Sequence, residues 1–226
     1  MYIDIHKHGK ETKEDIFVLR NLFPDQVHEI DTQKYYSLGL HPWHVEKEKL
    51  DIDITKVHEN ASKKEIIAIG ETGLDQKVNV SYIHQIEAFE QQLEIAEEFR
   101  LPVIIHCVKA YNDIITIRKR NGISLPWIIH WFNASQQIAE DLINLNCYLS
   151  FGCMLFNEKS KAFRVFPNIP EKNIFLETDD TEYSIIDVYR KASGLRQISE
   201  DKLKIILKNN FKSCFNNDNS RMAIQN

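Results

Sequence analysis

Short, continuously apolar stretches alternate with amphipathic ones along this chain, and the two kinds predict different elements. Eight runs read as strands: residues 2–6, 16–22, 35–41, 66–71, 103–106, 127–132, 147–151 and 174–178. They are apolar throughout rather than alternating, the pattern of parallel strands covered on both faces. Between several of them lie stripes spaced by three and four residues. Ile83, Ile86, Phe89, Leu93, Ala96 and Phe99 form the clearest, and Leu101 and Pro102 stop it before the next strand. Ile138, Leu142 and Leu145 repeat the pattern, as do Leu203, Ile206, Leu207 and Phe211.

Strands alternating with helices predict a parallel sheet, and eight of them predict an α/β fold of the TIM-type (β/α)8 barrel class. About a dozen residues separate the second and third runs, room for one helical turn, so the second βα unit is expected to be trimmed. The charge-rich stretch 46–65 is expected to be a solvated helix on the outside. One domain over residues 1–215 is expected, followed by a polar tail over 216–226.

A length of 226 residues lies slightly below the ~250 typical of that barrel. With 43% hydrophobic and 27% charged residues the chain has material for a substantial core, which excludes a disordered chain. Its net charge of −5 provides no polycationic face, so a phosphate substrate must be held by metal and local donors. Cys107, Cys147, Cys153 and Cys214 make no CxxC pair and read as free thiols. No apolar run approaches the roughly 18 residues of a membrane span, and a cytoplasmic protein without a membrane partner is expected.

The polar residues that end these runs carry the chemistry. His6, His8, Glu71, His106, His130 and Asp179 each stand at the downstream end of an apolar run. Carboxyl ends of barrel strands are where loops open and active sites form. His6 and His8, two residues apart, project from one face of a strand and can grip one ion. A single buried histidine is more often a satisfied core residue than a ligand, yet six such groups at one barrel end by accident would be costly. Mixed imidazole and carboxylate ligation suits zinc, manganese or magnesium. Glu177 is expected to point away from Asp179.

These residues resemble the TatD family of metal-dependent deoxyribonucleases, within the amidohydrolase-like barrel superfamily. The DxHxH pattern is present as Asp4, Ile5, His6, Lys7 and His8; GxHP as Gly39, Leu40, His41 and Pro42; GExGLD from Gly70 to Asp75; ETD as Glu177, Thr178 and Asp179. Gln85, Phe89, Gln92, Leu93 and Ala96 follow the family's helix pattern, and the likeness runs from about residue 2 to residue 190. The DxHxH and GxHP elements lie closer together than is usual, as in a short variant.

The resemblance implies two divalent metal ions (Mg, Mn or Zn), with His6 and His8 on one, Glu71 shared, His106 and His130 as further ligands, and Asp179 on metal and water. A cation lowers the pKa of water toward about 7, and Asp179 would accept or direct its proton, with Glu71 as the other catalytic carboxylate. His41, His44 and Lys109 are the expected substrate contacts, and DNA, as single-stranded ends, is the expected substrate. No obligate protein partner is expected. After His106 the family's usual serine and arginine give way to Cys107 and Val108, so a planar phosphate donor is lost and Lys109 stands in as a point charge. Two other readings keep the metals: hydrolysis of an ester or amide, as by a D-aminoacyl-tRNA deacylase or a lactonase, and a catalytically inert metal-binding barrel. Trp43, Trp131 and Phe132 can stack unpaired bases, although filling gaps between helices and barrel is the commoner role of such rings.

Overall fold

The computed structural model describes residues 1–9, 15–122 and 124–215. The expected tail over 216–226 lies outside them. Eight strands form one sheet in sequential order: β1 (Tyr2–Lys7), β2 (Ile16–Leu22), β3 (Tyr35–Leu38), β4 (Ile66–Asp75), β5 (Val103–Val108), β6 (Trp127–Ile129), β7 (Cys147–Phe151) and β8 (Ile174–Leu176). The pairs β1–β2, β3–β4, β4–β5 and β7–β8 are parallel. Beyond β8, Asp179 bridges back to Lys7 of β1. Every expected strand is present, and this connectivity is that of a (β/α)8 barrel. The chain divides into two compact units, residues 1–20 with 128–212, and residues 21–127.

In the unit of residues 21–127, helices α1 (Leu50–Ala61), α2 (Tyr82–Phe99) and α3 (Tyr111–Asn121) accompany β3, β4 and β5. The stripe on α2 packs Phe89, Leu93 and Ala96 inward, while Ile83 at its start is 66% exposed. Arg100 ends α2 in the left-handed conformation, its N–H returning to Ala96 and Glu97. Helix α1 is less solvated than its charge suggests, because Leu50 and Ile54 close over Leu40, Val45 and Ala88. Between β2 and β3 there is a 3-10 turn, Pro24–Glu29, as the short spacing requires.

Strand β4 runs four residues past Glu71, although Thr72, Gly73 and Asp75 look like a loop in sequence. Glycine allows this: a Cβ on Gly73, whose φ is +141°, would lie 2.1 Å from the His106 carbonyl oxygen, so only glycine lets β4 follow β5 so closely. Glu71 and His106 therefore sit inside strands rather than at their ends.

The unit of residues 1–20 and 128–212 contains β1, β7 and β8 with α4 (Gln136–Asn144), α5 (Lys161–Val165) and α6 (Ile185–Arg196). Its core stacks Phe151 edge-on against Phe132 and Phe166 at 5.7 and 4.9 Å. Helix α7 (Glu200–Phe215) adds Phe211 against Phe17 at 4.8 Å. Trp131 and Asp179, just beyond β6 and β8, hold left-handed φ angles of 47° and 51°. Bulky residues rarely adopt that conformation, and where they do a site is often built around them.

Candidate metal centres

In the unit of residues 1–20 and 128–212, one carboxylate gathers three imidazoles. The Asp179 Oδ1 lies 3.3 Å from His8 Nε2 and 3.7 Å from His6 Nε2, and its Oδ2 is 4.0 Å from His130 Nε2. Donor atoms of His6, His130 and Asp179 all lie within 4.8 Å of one another, a spacing that one ion can span. Backbone bonds hold Asp179 there, its N–H donating to the His6 carbonyl at 2.9 Å and its carbonyl accepting from His8 N–H at 3.4 Å. His6 is fully buried, whereas the His8 and Asp179 side chains are 27% and 18% exposed, so this cluster reaches solvent.

Two further carboxylates brace it. Glu177 Oε1 lies 3.1 Å from His130 Nδ1 and accepts the Trp131 N–H at 2.6 Å. Burial would raise the Glu177 pKa, but His130, His6 and a bond from Ser150 hold it below the usual carboxylate range. The expectation that Glu177 points away from Asp179 is corrected: the two residues are two apart, and strand alternation puts such a pair on one face, as it does His6 and His8, so both reach His130. Asp4 accepts both the N–H and the hydroxyl of Thr178, at 2.9 and 2.6 Å, and burial pushes its pKa up to about 7.

The unit of residues 21–127 repeats the plan around Glu71. Its Oε1 lies 2.7 Å from His106 Nδ1 and 3.2 Å from His41 Nε2, and those two ring nitrogens are 3.2 Å apart. Asp75 Oδ2 takes the other nitrogen of His106 at 3.1 Å and the Trp43 indole N–H at 2.7 Å. Burial would raise the Asp75 pKa, but Trp43, the Lys77 N–H and His106 together hold it below the carboxylate range.

Proton positions follow from these partners. His41 Nδ1 accepts the Trp43 backbone N–H at 3.1 Å, so a neutral His41 carries its proton on Nε2. Burial lowers the His41 pKa despite Glu71 and keeps the ring neutral. His41 is thus a hydrogen-bond donor toward the cluster, with no lone pair there to give a metal. His106 stands between two carboxylates, Nδ1 2.7 Å from Glu71 Oε1 and Nε2 3.1 Å from Asp75 Oδ2, so whichever nitrogen carries the proton of a neutral ring, the other turns its lone pair toward a carboxylate oxygen. Two acceptors so close need a positive charge between them, either a second ring proton or a cation. The donor set accordingly fits a divalent ion.

Three buried amides fix these groups. Asn21 Oδ1 accepts the Glu71 N–H at 2.6 Å, and Gln85 Oε1 accepts the Asp75 N–H at 2.8 Å. Gln92 binds both backbone groups of Leu40, at 2.7 and 3.1 Å, and the Thr72 hydroxyl at 2.6 Å, which anchors the turn bearing His41. Asp75, Glu177, Asp4 and Asn21 have no role in the expectations from sequence, although the first three lie within quoted motifs. Of the remaining expected substrate contacts, His44 is exposed, its ring 5.9 Å from that of His41 and edge-on to Phe23 at 5.1 Å, and Lys109 is exposed at a left-handed φ just after β5.

Carboxylate-centred histidine clusters on the strands of a (β/α)8 barrel are the architecture on which metal-dependent hydrolases are built. The known proteins that this chain matches agree. The sequence model for TatD related DNases matches residues 24–216, and the chain belongs to that family. The matched span begins after His6 and His8.

The metal-dependent hydrolase YabD of Bacillus subtilis is 34% identical over 151 residues, covering 64% of this chain and 58% of that protein. The 3'-5' ssDNA/RNA exonuclease TatD of Pantoea ananatis is 32% identical over 147 residues, covering 63% and 56%. The match thus spans less than two thirds of either relative's length. The crystal structure of YjjV, a TatD homolog from Escherichia coli, superposes with a TM-score of 0.84 at 22% identity, covering 96% of this chain and 98% of that one. That likeness shows the barrel fold.

Proposed function

We propose that this chain is a divalent-metal-dependent phosphodiesterase that cleaves single-stranded DNA. The observation that supports this best is the pair of carboxylate-centred clusters, each with a second carboxylate behind one of its imidazoles. His6, His8, His130 and Asp179 would hold one cation, and Glu71 with His106 another, as zinc, manganese or magnesium. Bound there, the metal supplies Lewis acidity and brings the pKa of a water toward about 7.

The chain's own groups do the rest. Asp179, open to solvent, accepts the proton of the attacking water at Oδ2, the oxygen farther from His8. His41 donates Nε2–H to a phosphate oxygen, the substrate contact expected of it. Asp75 and Glu177 keep the far nitrogens of His106 and His130 protonated and so aim their lone pairs at the site. The exposed Lys109 adds a cationic charge for the strand beyond the reacting phosphate. Buried free thiols at Cys107, Cys147 and Cys214 suit a reducing cytoplasm. Among the described residues no helix is long and apolar enough to cross a membrane.

The name of the Pantoea relative points to the same substrate class. The test is to strip the protein of metal, restore each divalent ion singly, and assay a labelled single-stranded oligonucleotide beside an aminoacyl ester and a lactone. Ion-dependent cleavage of the oligonucleotide is expected. Turnover of an ester alone would overturn the proposal.

A further inference from the structure

Trp43, a large ring beside the Glu71 cluster, is left open, with 54% of its surface exposed. An exposed tryptophan on a turn ordinarily samples several rotamers, yet this one is fixed from three sides. Pro42 begins its 3-10 turn, Pro42–His44, and the backbone N–H of Trp43 is bound by His41. Its indole N–H is held by the buried Asp75 at 2.7 Å. Its ring meets His41 and His106 nearly at right angles, at 5.0 and 5.9 Å between centroids. The indole is therefore ordered before anything binds, and among the described residues its outer side lies open.

We propose that Trp43 is a stacking platform for the nucleobase next to the phosphate held at Glu71, His106 and His41. This rests on the nuclease reading above and names the part of the substrate that the site grips. A ring already immobilised loses little entropy when a planar partner settles on it. Every base has a π-face, so the contact tolerates any sequence. Such a platform also offsets the missing arginine after His106, since the chain has no polycationic face to hold a strand by charge. The bond to Asp75 ties the platform to the same carboxylate that orients His106.

Three variants separate this from a plain bracing role. Trp43→Ala removes both ring and donor, Trp43→Phe keeps a ring without the donor, and Trp43→Gln keeps a donor without the ring. With the metal-loaded enzyme and a single-stranded oligonucleotide, Trp43→Ala and Trp43→Gln are expected to raise KM about 5- to 150-fold, the range of one stacked base. Trp43→Phe is expected to stay within a few-fold of the parent. A strand made abasic at either end in turn should lose the same factor with the parent enzyme at one of those ends, and nothing further with Trp43→Ala.

Rescue by glutamine but not by phenylalanine would overturn the proposal, as would a KM indifferent to the base. A second readout needs no turnover: a cleavage-resistant phosphorothioate strand should quench tryptophan fluorescence in the parent, and neither Trp43→Phe nor a fully abasic strand should show that quenching. If the protein cuts no phosphodiester, the nuclease reading falls and this titration still decides the platform. Equal quenching by abasic and ordinary strands would refute it.

Discussion

The Asp179 and Glu71 clusters share a plan and differ in exposure. Each has a central carboxylate, imidazoles around it, and a second carboxylate, Glu177 or Asp75, on the far nitrogen of one ring. Asp179 stands on a left-handed residue past the end of β8, 18% exposed, beside the half-open His8. Glu71 stands inside β4 at 3% exposure, beneath His41 and fixed by Asn21. A carboxylate in contact with water can trade protons, whereas a buried one between two imidazoles is suited to holding charge in place. In the proposed mechanism, proton transfer falls to the first cluster, and charge neutralisation with phosphate positioning to the second.

The largest effect should come from breaking the first cluster. Asp179→Asn preserves the shape of the side chain and its backbone bonds but removes the base, so kcat should fall about 10²- to 10⁴-fold. Single-turnover rates with saturating metal measure it. Chelation of the metal should abolish turnover, and manganese or zinc should restore it to the parent but not to Asp179→Asn.

Loss of either bracing carboxylate should cost less. Asp75→Asn and Glu177→Gln are each expected to weaken metal affinity or activity about 10- to 100-fold, read by metal titration against rate. If the two clusters are alike in plan, the two losses should be of similar size. An effect confined to one of them would break the parallel.

Much of the fold was legible in sequence, because an apolar run that carries a histidine or carboxylate toward its downstream end marks a barrel strand. The eight strands and the six ligand-type residues all rest on that local signal. What escaped was long-range. Asn21 binds Glu71, and Gln92 binds Leu40, across 50 and 52 residues, and no local pattern announces such bonds. The extension of β4 was hidden by Gly73 and Asp75, which lie past the apolar run 66–71, and the close approach of Gly73 to β5 explains the glycine. Glu177 was misdirected by a miscount of parity, since a residue two before Asp179 shares its face under strand alternation.

Smaller effects sharpen the picture of the second cluster. His41→Ala removes one donor to a charged oxygen and should cost about 1.5–3 kcal/mol in kcat/KM, on the order of 10- to 150-fold, with metal content unchanged. That last clause separates a substrate donor from a ligand. His44→Ala and Lys109→Ala, both at exposed positions, should change kcat/KM by no more than about threefold, and the Lys109 effect should fade in high salt.

Metal stoichiometry tests the central claim, that each cluster holds its own ion. Elemental analysis of manganese- or zinc-loaded, dialysed protein should find about two ions per chain in the parent, and about one in each of Asp179→Ala and Glu71→Ala. One ion in the parent, or loss of all metal from either single variant, would contradict the account.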